Sequence, residues 1–140
     1  MRRLTVLFFG TLSLGACTGL VAGPESSQVT PVSASRDSAY TRARRAMQAE
    51  TFSVDVADSV GGHIVATRYA GSSAKLGSPT ACRLKVALDI QGSGEAVQVA
   101  TISRWLAPKP MQQQAPVLCE KERTDVLARV AQTIEPPPTP

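Results

Sequence analysis

Apolar and polar residues alternate most cleanly between Cys82 and Ile90. Cys82, Leu84, Val86, Leu88 and Ile90 fall on one face, Arg83, Lys85 and Asp89 on the other. A period of two marks a strand with one face buried. The same period runs through Phe52, Val54 and Val56, with Ser53 and Asp55 between them. Asp58-Ser59-Val60-Gly61-Gly62 then carries turn chemistry, and His63 to Tyr69 reads as the return strand. Residues 70–80 are a polar loop. Gln91-Gly92-Ser93-Gly94 predicts a hairpin turn into a fourth strand, Ala96 to about Leu106. Trp105 lies at the end of that strand, before the breaker run Pro108-Lys109-Pro110.

Helical spacing appears on either side of these strands. From Asp37 to about Glu50, Tyr40, Ala43 and Met47 recur at helical intervals, with Ser35 or Asp37 able to cap the start. Beyond Pro116, which suits a first helical position, Cys119, Val126, Val130 and Ile134 form one stripe, widened by Leu127 and Ala131. Two hairpins imply an antiparallel sheet, and two amphipathic helices need a surface to cover. The expected fold is α+β, in the order α-β-β-β-β-α. It is a two-layer sandwich in which an N-terminal and a C-terminal helix cover one face of an antiparallel four-stranded sheet. The single domain is expected over 37–135. Residues 17–36, rich in Gly, Pro, Ser and Thr, read as a flexible tether. Residues 136–140 are a proline-rich tail that stops the last helix.

The N-terminus is organised differently. Arg2 and Arg3 precede an apolar run from Leu4 to Leu14, the pattern of a secretory signal peptide. Leu14-Gly15-Ala16-Cys17 resembles the lipobox of bacterial lipoproteins. The resemblance covers residues 1–17. It implies that Cys17 is joined to diacylglycerol, that residues 1–16 are removed, and that the new amino terminus is acylated. A cysteine carrying three acyl chains anchors stably, because one chain alone binds only marginally. The alternatives are a plain signal peptide cut elsewhere and an uncleaved anchor. Length opposes the second, since the apolar run is about 11 residues and a spanning helix needs roughly 20. Thr18 stands where an aspartate would resemble an inner-membrane retention signal. The implied location is the cell envelope, in the outer membrane facing the periplasm if the envelope is Gram-negative.

Cysteine arithmetic follows from that reading. With Cys17 acylated, Cys82 and Cys119 remain as a pair in an oxidising compartment. Both belong to the inward set of their elements, which favours a disulfide between them. Two buried free thiols are the alternative.

Composition narrows the chemistry. The chain holds 15 Lys+Arg and 11 Asp+Glu, and loss of Arg2 and Arg3 leaves a mature excess of only two positive charges. Aromatics make up 4% of residues, too few for base-stacking platforms. Nucleic acid is therefore not an expected partner. With one histidine, a His-rich metal site is excluded, and no cofactor or metal is expected. His63 is the sole base available to a hydrolase triad, and it sits beside a turn. Asp55 and Asp58 do not share a strand face as a glycosidase pair would require. Gly92-x-Gly94 lacks the strand-to-helix setting of a nucleotide loop. Arg83, Lys85 and Arg104 form a candidate basic patch on the open sheet face, and Arg42–Arg45 a basic run on the first helix.

No catalytic set emerges, so the expected function is non-enzymatic. It is a membrane-anchored envelope lipoprotein that binds lipid through acylated Cys17 and serves another envelope protein as an interaction or assembly module. The element order is similar to that of small accessory lipoproteins, BamC-like components of outer-membrane assembly among them. The alternative is a binder of a small apolar or lipid ligand between sheet and helices, in a pocket lined by Phe52, Leu84, Trp105 and Val126.

Overall fold

The computed structural model describes residues 19–70 and 82–140. Its elements run β1 (Leu20–Ala22), β2 (Ser26–Val32), α1 (Arg36–Ala49), β3 (Ser53–Asp58), β4 (His63–Ala70), β5 (Cys82–Ser93), β6 (Ala96–Pro108), a 3-10 turn (Lys109–Met111) and α2 (Ala115–Ile134). The described residues form an α+β fold with six strands and two helices. All strand pairs are antiparallel, in the order β1-β6-β5-β4-β3, with β2 also on β6.

Two more strands are present than the sequence reading expected. They come from the stretch read as a tether, so the folded unit begins at Leu20 rather than Asp37. Together β1 and β2 make one interrupted edge strand. Ala22 pairs with Leu106 and Ser26 with Ser103, so Gly23, Pro24 and Glu25 oppose only Arg104 and Trp105. That extra residue is a bulge. Pro24 and Pro31 are tolerated because an edge strand has a neighbour on one side only. Just one side chain of β2, Val32, is fully buried, so the segment carries little apolar period.

The inward face follows the expected alternation in β5 and β6 but not in β3, where a bulge between Val54 and Val56 turns Val56 to the open face instead of placing it with Phe52 and Val54. Cys82, Leu84, Val86, Leu88 and Ile90 of β5 are each at most 3% exposed. Val97, Val99, Thr101, Ser103, Trp105 and Ala107 of β6 are buried beside them. The expected turn at Gln91–Gly94 closes later, because Gln91, Gly92 and Ser93 still pair with Gln98, Val97 and Ala96. Gly92 is required there: its φ is +89°, and a Cβ would lie 1.9 Å from the Ala96 carbonyl oxygen.

Both helices cover this inward face. Small residues let α1 approach closely, with Ala39, Ala43 and Ala46 wholly buried between Tyr40 and Met47. The Ser35 hydroxyl accepts from the Ser38 amide at 3.2 Å and caps the helix start. At the other end the Phe52 amide donates to the Met47 carbonyl and the Thr51 amide to that of Gln48. This is a Schellman stop, with Met47 and Phe52 buried as its apolar contact. Thr51 occupies the left-handed position usual for glycine, at φ +62°. Helix α2 crosses the sheet from the Pro108 end to the Val32 end, where Glu135 accepts from the Ser33 amide at 3.0 Å.

Candidate functional site

The structure places Cys82 and Cys119 together. Their Sγ atoms are 2.01 Å apart and their Cα atoms 5.5 Å, in a disulfide that ties the first turns of α2 to the start of β5. Cys17 and the leader lie outside the described residues, as does most of the polar loop at 70–80.

The four side chains expected to line an internal pocket belong to the core. Phe52, Leu84, Trp105 and Val126 are 6%, 0%, 4% and 0% exposed. Beside them a polar seam joins α2 to β6. The Trp105 indole Nε1 donates to Glu120 Oε2 at 3.1 Å. Arg123 donates to both Glu120 oxygens and, at 3.2 Å, to the Ser103 hydroxyl. The Arg123 guanidinium holds the Glu120 carboxyl below its ordinary value, against the upward push of desolvation. Arg68 on β4 pairs with Glu122 at 2.6 Å. These contacts tie the helix to the sheet and fix the Trp105 ring.

Other candidates have local structural partners. Asp58 Oδ1 accepts from the Val60 and Gly61 amides and shapes the turn. Asp55 accepts from the Thr67 hydroxyl at 2.7 Å. His63 sits 3.1 Å from Asp89 on the adjacent strand, both well exposed. Arg42 donates to the Ile134 carbonyl at the end of α2, while Arg44 and Arg45 are exposed.

The open face of the sheet has a definite arrangement. Residues paired across strands share a face, so the register reads off its rows. One row is Val56, Val65, Ala87 and Ile102, spanning β3, β4, β5 and β6. Val56 is 48% and Ile102 45% exposed. Ala100 and Val29 extend the patch on the next row, with Val29 55% exposed. On the other side Lys85 is paired with Arg104. Like charges directly opposite each other are unfavourable, and Glu25 at 3.9 Å from Arg104 is a loose counterion. Farther along, the Arg83 guanidinium stands 5.9 Å from the Tyr69 ring centre. A shallow depression of about 210 Å³ lies among Val65, Lys85, Ala87, Ile102 and Arg104.

The cations of this face were legible in the sequence, and its apolar row, as a row, was not. The signal was available: Val65, Ala87 and Ile102 are apolar residues out of phase with the buried positions of their strands. Only the register, however, aligns them.

No family model and no curated protein matches the chain. Solved structures do. Ara h 8.0201 is similar over 83% of this chain and 98% of its own, with a TM-score of 0.53 and 9% identity. The protein TTHA0849 from Thermus thermophilus aligns over 79% of this chain and 97% of its own, at a TM-score of 0.46 and 12% identity. Norcoclaurine synthase from Thalictrum flavum, in complex with dopamine and hydroxybenzaldehyde, aligns over 96% and 94%, at 0.41 and 12%. At such identities the likeness is one of fold alone: the chain is built like Ara h 8.0201.

Proposed function

We propose that this chain is a non-enzymatic lipoprotein of the cell envelope whose domain presents the open face of its sheet to another envelope protein. The observation that carries this reading is the apolar row Val56–Val65–Ala87–Ile102 across four strands, with Val56 and Ile102 exposed and Val65 and Ala87 half-buried between them. A partner covering Ile102 and Val56, each about half exposed, gains roughly 1 kcal/mol from each. The opposed cations Lys85 and Arg104 favour an acidic group beside the partner's apolar contact. The depression among them, at about 210 Å³, is below the roughly 300–1,000 Å³ of small-molecule sites. It suits one inserted side chain better than a free ligand.

A photo-crosslinking residue at Ile102 tests the reading in intact cells. One defined protein adduct is expected. With that partner purified, Val65→Asp should weaken the complex at least about tenfold, near 1.4 kcal/mol. Crosslinks spread over many proteins, or an affinity indifferent to Val65→Asp, would remove the open face from consideration.

The alternative reading is an apolar or lipid ligand held between sheet and helices. A small molecule retained by the folded domain in native mass spectrometry would support it over the first.

A further inference from the structure

The end of the domain where β1 begins is unusually apolar for an exposed surface. Leu20 is 39% exposed, and Val117 and Leu118, in the first turn of α2, are 72% and 53% exposed. They are held at one end by a continuous set of bonds. Leu20 pairs with Pro108, and the Lys109 amide donates to the Gly19 carbonyl at 2.9 Å. Backbone bonds from Gln112 to Lys109 and from Gln114 to Met111 then carry the chain into α2. The disulfide holds Cys119, next to Leu118, over the start of β5 at the same end. Ala115 and Cys119 take the inward positions, which leaves Val117 and Leu118 outside. Lys109 is exposed beside them.

Only Thr18 and Gly19 separate Cys17 from β1. Three residues span at most about 11 Å between Cα atoms when fully extended. Each polar layer of a bilayer is roughly 5–8 Å deep. A diacylglycerol on Cys17 therefore keeps the Leu20 end close to the lipid, at most about 6 Å beyond the polar layer even with the link fully extended. We infer that Leu20, Val117 and Leu118 form a membrane-seating edge, pressed into the headgroup layer of the bilayer that holds Cys17. This rests on the acylation reading of Cys17 and adds an orientation to it: the strands rise from the lipid, with the turn at Val60 pointing away. Exposed aliphatic side chains gain by entering the interfacial layer, and Lys109 complements anionic headgroups.

The test uses the full processed protein, purified from membranes and reconstituted in phosphatidylethanolamine–phosphatidylglycerol vesicles with brominated acyl chains. Val117→Trp, with Leu118→Trp as a second variant, places a reporter at the seating edge. Val60→Trp, 88% exposed in the β3–β4 turn at the opposite end, is the control. Emission of the buried native Trp105 is subtracted using the parent protein. If the edge lies about 5–10 Å into the interface, bromine should remove about half of the added emission of Val117→Trp or Leu118→Trp, and almost none of that of Val60→Trp. Equal quenching at both ends, or none at Val117 and Leu118 in protein whose mass includes the acyl groups, overturns the seating edge. An N-terminal peptide without acyl mass overturns the acylation reading itself.

Discussion

Gly23→Ala adds one methyl group and decides whether residues 20–32 are a tether or the edge of the sheet. A Cβ at residue 23 would stand 2.1 Å from Cε2 and 2.2 Å from Nε1 of Trp105. The indole has little freedom to move away. It is 4% exposed, and Nε1 donates to Glu120, itself held by Arg123. The Gly23 amide also donates to the Trp105 carbonyl at 2.9 Å, so the backbone is fixed on the other side. Overpacking of this kind costs about 1–3 kcal/mol. Loss or stretching of the indole hydrogen bond adds roughly 1 kcal/mol. The expected destabilisation is about 2–4 kcal/mol. With a urea slope of about 1–3 kcal/mol/M, the unfolding midpoint should fall by roughly 1–2 M. In a flexible tether the same change would be neutral, or stabilising by about 0.4–1 kcal/mol through the unfolded state. The sign therefore separates the two descriptions. Trp105, the only tryptophan, reports unfolding by its emission. A cycle with Trp105→Phe, followed by circular dichroism, isolates the contact, and a coupling of about 1 kcal/mol or more is expected. A Gly23→Ala protein as stable as the parent would refute the packing of the bulge over the indole.

Other expectations follow from single features. Opening the disulfide releases a cross-link across 37 positions, worth about 3–4 kcal/mol on the chain-entropy account. Calorimetry of the oxidised and reduced protein should show Tm falling by roughly 10–20 °C on reduction, and an unchanged Tm would contradict the cross-link. Thr51→Gly relieves a β-branched residue at φ +62° and should raise stability by about 0.5–1 kcal/mol in urea titrations; a loss would mean that the 3.3 Å contact from Arg68 to its hydroxyl outweighs the strain. The Glu120 carboxyl is held below its ordinary value chiefly by Arg123. Its contribution is thus fully present above the unfolded carboxylate range and is lost as pH falls through the lower folded value. Glu120→Gln should flatten the acid limb of the stability curve, whereas an unaltered limb would assign that dependence to other carboxylates.

What the sequence disclosed depended on how much each element buries. Strands β4 to β6 and both helices bury a full face, so their periods of two and 3.6 were visible, and Cys82 and Cys119 fell on inward positions, whereas β3 buries little and its bulge between Val54 and Val56 breaks the period. The edge strand buries chiefly Val32 and carries Pro24, Pro31 and Gly23, so its composition is that of a loop. Its order comes from the backbone of β6, to which its own side chains contribute little. The open-face row was hidden for a different reason. Val56, Val65, Ala87 and Ile102 are far apart in the chain, and cross-strand register alone makes them adjacent. Alternation within a strand says which face a residue takes, but not which residue stands beside it.

The edge strand also links the two proposed surfaces. As a tether, residues 17–36 would have let the domain wander roughly 25 Å from the lipid. With strand β1 starting at Leu20, the proposed acylation of Cys17 would leave two residues of slack and give the open-face row a set height. Ile102 lies six residues along β6 from Pro108, roughly 20 Å at the rise of a strand. On that reading a partner meets the row about 20 Å along the strand from the seated edge. Inserting ten Gly/Ser residues between Thr18 and Gly19 tests whether the short link imposes this geometry. The lengthened link has an r.m.s. span of roughly 20 Å, so anchoring alone no longer forces contact. Three aliphatic side chains are a small patch to hold a domain unaided, and the bromine quenching of Val117→Trp should fall by about half or more as its local concentration at the lipid drops. Quenching that survives the insertion undiminished would show that the patch binds lipid by its own affinity, and would refute the claim that the two-residue link seats the domain.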